Sequence, residues 1–215
     1  MYWLFCGIAS AQTGTSFHRY VSSRTFGNDS QEFRIANNVV QRLTQSNRLP
    51  NFQWGIVEKR EDIEHIGRPV WVLAPVIRAL QSQPGKLAFV IAHDIAQYDV
   101  PDKIDNRPVV CTDNPEKTFA VIGDPRNYAV RSRIECESMA DSIAIKYMAS
   151  AGYSPFDASA FLGNVTAGPY IKMEPQWVQD YVALHPTNNQ RADRLRQLVV
   201  SFCSKNAQAC HMPIP

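Results

Sequence analysis

The sequence has no apolar run near the roughly 18 residues that a membrane-spanning helix needs. Its longest runs, residues 2–11 and 87–92, stop well short, so no transmembrane helix is expected. Clusters of one charge are also missing. The 22 Lys and Arg are scattered among 20 Asp and Glu, leaving a net charge of +2. This gives no electrostatic footprint for nucleic acid and no polybasic patch for a membrane surface. There are no internal repeats or low-complexity tracts, so a solenoid is not expected. What remains is a 215-residue chain, 45% hydrophobic and 20% charged, with the proportions of one compact domain that buries a real core.

The first residues stand apart from the rest. Tyr2 to Ala11 has the length of a signal-peptide apolar region, and Ala9-Ser10-Ala11 offers an A-x-A cleavage site before Gln12, without a basic segment ahead of it. Residues 1–11 are read as an export signal, with a buried N-terminal strand or helix as the alternative. Phe5 is too large for the small residue expected before a lipid-modified cysteine, so Cys6 is not read as a lipid anchor. Beyond that leader, Cys111, Cys136, Cys203 and Cys210 form an even set that suits an oxidising compartment. Cys203 and Cys210 enclose a short loop, which favours Cys203–Cys210 with Cys111–Cys136 among the three pairings; four reduced thiols are the alternative. The expected location is periplasmic or secreted, with the cytoplasm as the alternative.

Hydrophobic periodicity orders the remainder. Residues 12–29 form an irregular arm, and Phe33, Val40 and Leu43, with Ile35 and Val39, predict a helix to about Gln45 capped by Asp29 or Ser30. Together these make an N-terminal arm and helix over 12–51. Two strands, 52–57 and 69–73, should pair as a small sheet, and Pro75 opens a helix through Leu80. Gln83-Pro84-Gly85 breaks the chain before a helix over 86–98. Residues 100–130, with Pro101, Pro108, Pro115 and Pro125, read as a loop-rich insertion with brief strand signals. A strong helix runs over 131–151, closed by Gly152, and a short one over 155–162. A Gly, Pro and aromatic linker then leads to His185-Pro186 and a final amphipathic helix over 189–202.

The chemistry is concentrated on the helix over 86–98. In zincins, two His four residues apart lie on one helix face and bind zinc, while the Glu after the first His activates the metal-bound water. Here His93-Asp94-Ile95-Ala96-Gln97 keeps the first His and replaces the other two positions. Alone, that pentad is most simply a hydrogen-bonded core histidine.

Its surroundings extend it. The segment KLAFVIAHDIAQYDV (86–100) resembles the LAxVLAHExxH helix of the zinc metallopeptidase family M-48, which includes a heat-shock membrane protease, CAAX prenyl proteases and soluble periplasmic relatives. Glu137-Ser138-Met139-Ala140-Asp141, 44 residues past His93, is similar to that family's ExxAD element, and IAIKYMASAGYSP (143–155) to its helix end. His185-Pro186 followed by Arg191 is similar to the family's C-terminal HP and Arg. The resemblance covers about residues 52–202, in order. It implies an α+β, zincin-like (gluzincin) metallopeptidase domain over 52–215, mainly helical with a small β-sheet.

The resemblance also implies roles. His93 matches the first zinc ligand and Glu137 the glutamate ligand. Asp141 would orient a ligand histidine through its free ring N–H, the plainer reading being a solvated acidic face. Strand residues Val70, Trp71, Val72 and Leu73 match the edge strand that receives an extended polypeptide, or serve as an ordinary structural strand.

The departures bear on activity. Gln97 offers zinc only a neutral amide, a poor ligand. Asp94 keeps a carboxylate but sets it one methylene, about 1.3 Å, nearer the backbone, when a general base must come within about 2.6–3.2 Å of its water. The expected function is therefore an M-48-type metalloendopeptidase homologue that is catalytically impaired and binds extended or unfolded polypeptide. One alternative is an active zinc endopeptidase with His93, Glu137 and His185 as ligands and Asp94 as base. The other is a structural or interaction domain with no peptide cleft. His18, His65 and His211 lie outside every matched element.

Overall fold

The computed structural model describes residues 26–27, 29–50, 52–60, 70–100, 103–114, 118, 124–165 and 171–210. The expected export signal, most of the arm, Pro69, His18, His65 and His211 lie outside those residues.

The first helix, α1 (Gln31–Asn47), starts where the Ser30 hydroxyl accepts the Phe33 N–H at 3.0 Å, which satisfies one of the donors a helix start leaves open. Ala36, Val39, Val40 and Leu43 are its buried stripe. Strands β1 (Trp54–Val57) and β2 (Val70–Leu73) pair in parallel, from Trp54 opposite Val70 to Val57 opposite Leu73. A side chain at Gly55 would come within 2.3 Å of the Trp71 ring, so the glycine is what lets that indole lie across the sheet.

Helix α2 (Ala74–Leu80) follows β2 directly, and α3 (Pro84–Ala96) follows α2. The expected break falls at residues 81–83, with Gln83 as the N-cap, while Pro84 and Gly85 belong to the first turn of α3. Proline takes the first turn of α3, where its missing N–H costs nothing. Every residue of α3 from Leu87 to Ala96, except Lys86 before them, is buried, and a helix apolar on all sides belongs at the centre of a domain. It packs on α1, α4 (Arg133–Ser150) and α5 (Pro155–Asn164).

Between α3 and α4 the segment expected to be loop-rich forms a second small sheet. Strands β3 (Lys103–Ile104) and β4 (Arg107–Thr112) are antiparallel, and β4 pairs in parallel with β5 (Ala129–Ser132). Asp105 and Asn106 join β3 to β4 with φ of 52° and 62°, as a two-residue turn matched to strand twist requires. Strand β5 runs to Ser132, which caps α4 in a reciprocal box with Glu135, so the helix begins at Arg133 rather than 131.

The expected linker before His185 contains another helix, α6 (Gln176–Leu184), and α7 (Asn189–Lys205) and α8 (Ala207–Cys210) are the last described elements. Two disulfides join Cys111 to Cys136 and Cys203 to Cys210, the favoured pairing. The architecture is α+β, mostly helical, with two small sheets. Among the described residues, no helix is long and apolar enough to cross a membrane.

Candidate metal centre

The last turn of α3 presents His93, fully buried, to the middle of α4. Glu137 and Asp141 are four residues apart on α4 and therefore share one face. His93 Nδ1 lies 2.8 Å from Asp141 Oδ1, and His93 Nε2 lies 3.0 Å from Glu137 Oε2. Behind them, Arg191 in the first turn of α7 is also fully buried. It donates to Asp141 through Nε and Nη2, both at 2.8 Å, and its Nη1 lies 3.1 Å from Glu137 Oε2. The same Nη1 donates to the Pro186 carbonyl at 2.9 Å, so one guanidinium ties the loop before α7 to two carboxylates of α4. A two-pronged Arg–carboxylate contact fixes direction as well as distance.

His185 enters from the C-terminal end of α6. Its Nδ1 is 3.4 Å from Glu137 Oε2, and its Nε2 is 3.3 Å from Asp94 Oδ1. The ring meets His93 edge-on at 5.0 Å between centroids and lies 4.8 Å from the Tyr181 ring. Gln97 caps α3, with its amide nitrogen 3.3 Å from His93 Nε2, 3.3 Å from His185 Nδ1 and 3.4 Å from Glu137 Oε1. Gln97 is exposed, whereas His93, Asp94, Glu137, Asp141, His185 and Arg191 are buried, so the cluster meets solvent beside that amide.

Burial opposes charge throughout, and the outcome differs from group to group. On His93, hydrogen bonds to Asp141 and Glu137 outweigh burial and raise its pKa from 6.5 to about 9. Burial would raise Glu137, but the His185 and His93 imidazoles hold it well below its ordinary value. Burial likewise works on Asp141, where the Arg191 guanidinium wins and keeps the pKa low. On Asp94 burial is the largest influence and leaves its pKa raised, although His185 and His93 pull it down. The Tyr181 hydroxyl is buried without a hydrogen-bond partner among the described residues, and burial raises it well above its ordinary value.

The donor pattern identifies what the cluster can hold. An ionised carboxylate only accepts, so the His93 Nδ1 facing Asp141 carries a hydrogen. In the neutral ring, Nε2 then aims a lone pair at the Glu137 oxygen 3.0 Å away, and the His185 Nδ1 approaches that same oxygen. Arg191 Nη1 already meets Glu137 Oε2, and the two imidazole nitrogens that face the same oxygen need ring protons or a bound cation between them and it. Four-coordinate zinc, with bonds of about 2.0–2.2 Å, spaces its ligand atoms about 3.3–3.6 Å apart. Ligand atoms of His93, Glu137 and His185 lie within 4.8 Å of one another, and two of the separations are 3.0 and 3.4 Å. Two imidazoles and a glutamate are also a donor set that zinc uses. The residues fit the metal.

All five residues expected near the pentad, His93, Asp94, Gln97, Glu137 and Asp141, come together, and His185 joins them. Val70, Val72 and Leu73 of β2 turn their side chains into the core, and Trp71 is half-buried; β2 therefore offers a partner main chain more than pockets. Arg191 was singled out in the sequence only as the Arg that follows His185-Pro186, with no contact assigned to it, although it precedes Leu195 by one helical step of four and so falls on the buried stripe of α7. Tyr181 was passed over as part of a linker. No family model, curated protein or solved structure matches the chain.

Proposed function

We propose that this chain is a zinc-holding domain of the M-48 metallopeptidase type, with peptide hydrolysis lost or much reduced and an extended polypeptide as its client. The observation that carries the reading is the meeting of His93 Nε2, His185 Nδ1 and Glu137 Oε2 at the buried end of α3. In this reading His185 replaces the histidine that Gln97 displaces. Bound zinc would supply Lewis acidity toward a water or carbonyl oxygen. The chain's own residues do the rest. Asp141 and Arg191 fix the His93 ring, Arg191 holds Glu137, and the Gln97 amide stands at the solvent side as a hydrogen-bond donor. The client would lie along β2 through main-chain hydrogen bonds, where the buried Trp71 indole N–H has no partner among the described residues. Two disulfides suit a periplasmic or secreted setting.

Weak catalysis follows from Asp94. Its carboxylate sits on the shorter side chain with one oxygen turned to His185, and a displacement on the order of 1 Å costs about a hundredfold in rate. A second reading, an active endopeptidase with Asp94 as base, draws on the raised Asp94 pKa, because a general base works best with a pKa near the working pH. Casein cleavage by the purified chain separates the two. The impaired reading expects none above background. Cleavage abolished both by chelator and by Glu137→Ala would establish the second reading instead.

A further inference from the structure

The pentad departs from HExxH at residues 94 and 97, and both of those side chains touch His185, the histidine of the cluster that lies outside it. Asp94 Oδ1 is 3.3 Å from His185 Nε2, and the Gln97 amide is 3.3 Å from His185 Nδ1. The other histidine is held in a similar way, with His93 Nδ1 2.8 Å from Asp141 Oδ1. Each imidazole therefore has one nitrogen on a buried carboxylate and its other nitrogen toward Glu137 Oε2.

We propose that Asp94 is the positioning residue of His185, its carboxylate accepting the Nε2–H and so fixing the tautomer that leaves the Nδ1 lone pair facing Glu137. The proposal rests on the zinc-holding reading and deepens it. A ligand imidazole whose second nitrogen bonds a carboxylate has its tautomer and orientation set and its basicity raised. The two departures then become one change. Moving the second imidazole from α3 to the corner after α6 requires a carboxylate short enough to reach its far nitrogen. A glutamate at 94 would carry its carboxylate about 1.3 Å farther, into the space of a ring edge now at 3.3 Å. Because Asp94 and His185 are both buried, water does not offer the ring N–H a ready substitute.

The test is a double-mutant cycle on zinc affinity, measured by chelator competition with the full chain. Variants are Asp94→Ala, Asp94→Asn, Asp94→Glu, His185→Ala and the Asp94→Ala/His185→Ala pair. Loss of such a supporting contact weakens metal binding about 10–100-fold. Asp94→Ala and Asp94→Glu are expected to show that loss. Asp94→Asn, which keeps an acceptor oxygen in place, should stay within about threefold of the native chain. Asp94→Ala should cost nothing further once His185 is gone. Long-range nitrogen NMR of the zinc-loaded native chain should find the His185 proton on Nε2, a readout that a merely structural role does not fix. Additive effects in the cycle, or an unchanged affinity in Asp94→Ala or Asp94→Glu, would overturn the proposal while leaving the zinc-holding reading intact, whereas a proton on Nδ1 removes that atom as a ligand and overturns both. A native chain that binds no zinc overturns both.

Discussion

Two histidines reach the same glutamate oxygen from different kinds of structure. His93 stands on a continuous helix, with its partners Glu137 and Asp141 on the facing helix, so regular spacing places it. His185 stands where α6 ends, and it is positioned by what surrounds that corner: Asp94 on one nitrogen, the Tyr181 ring beside it, and Arg191 holding the following carbonyl. The α3–α4 pair would survive as a helix pair without the site. The α6–α7 corner also packs on the core, through Val178 and Tyr181 of α6 and Leu195 and Val199 of α7, but the His185 ring is aimed by its side-chain contacts rather than by helical spacing. Half of this centre is built by helical geometry and half by a buried ionic network, and the second half is the one a single substitution should dismantle.

Arg191→Met breaks the comparison most directly. It leaves Asp141 and Glu137 buried beside α4 without their cation, and removing one partner of a buried ion pair costs about 3–5 kcal/mol. Chemical denaturation should register that loss. The disulfides sharpen the contrast between the two regions. By loop-closure entropy, opening Cys111–Cys136, which spans 25 residues and anchors the start of α4, should cost about 3.5 kcal/mol. Opening Cys203–Cys210, which spans 7, should cost about 2.4 kcal/mol. Cys→Ser pairs compared by thermal unfolding give the two values and their order.

The protonation of His93 provides a third test on the metal-free protein. Its folded pKa of about 9 lies above the unfolded 6.5, so the folded state binds the extra proton. The resulting stability, roughly 3 kcal/mol at 1.36 kcal/mol per unit, is complete below pH 6.5 and lost as pH rises through 9. Unfolding curves across that window should show the decline, and His93→Ala should remove it. The smallest effect is expected at Tyr181→Phe. The substitution keeps the ring against His185 and Phe161 and deletes a buried hydroxyl that has no partner among the described residues. Stability should stay level or rise by about 1 kcal/mol.

The same contrast governs how much the sequence alone could reveal. Helices α1 and α4 were legible because their apolar residues recur at helical spacing and Ser30 caps α1, and α3 because a continuous apolar run leads to His93. The disulfide pairing followed from one short loop and four cysteines. Strands β3–β5 were not legible as a sheet. They run two to six residues with mostly exposed or half-exposed faces, and their pairing depends on contacts that no local pattern encodes. Helix α6 was hidden by the proline before it and the aromatics within it, although Val178 and Tyr181 share a buried face three residues apart. The acids that His93 meets were placed by the resemblance of residues 137–141 to an ExxAD element. His185 lies 92 residues beyond His93, and its arrival beside Asp94 is a property of the packed corner, which Arg191 on the buried stripe of α7 could have signalled.

The central claim is that His185 stands in for the histidine that Gln97 replaced. Zinc content per chain, measured by elemental analysis of protein purified with zinc present, tests it in one comparison of native, His93→Ala and His185→Ala forms. The account predicts one zinc in the native chain and near-complete loss in both variants. A His185→Ala protein that keeps its zinc, or a native chain without any, would contradict it.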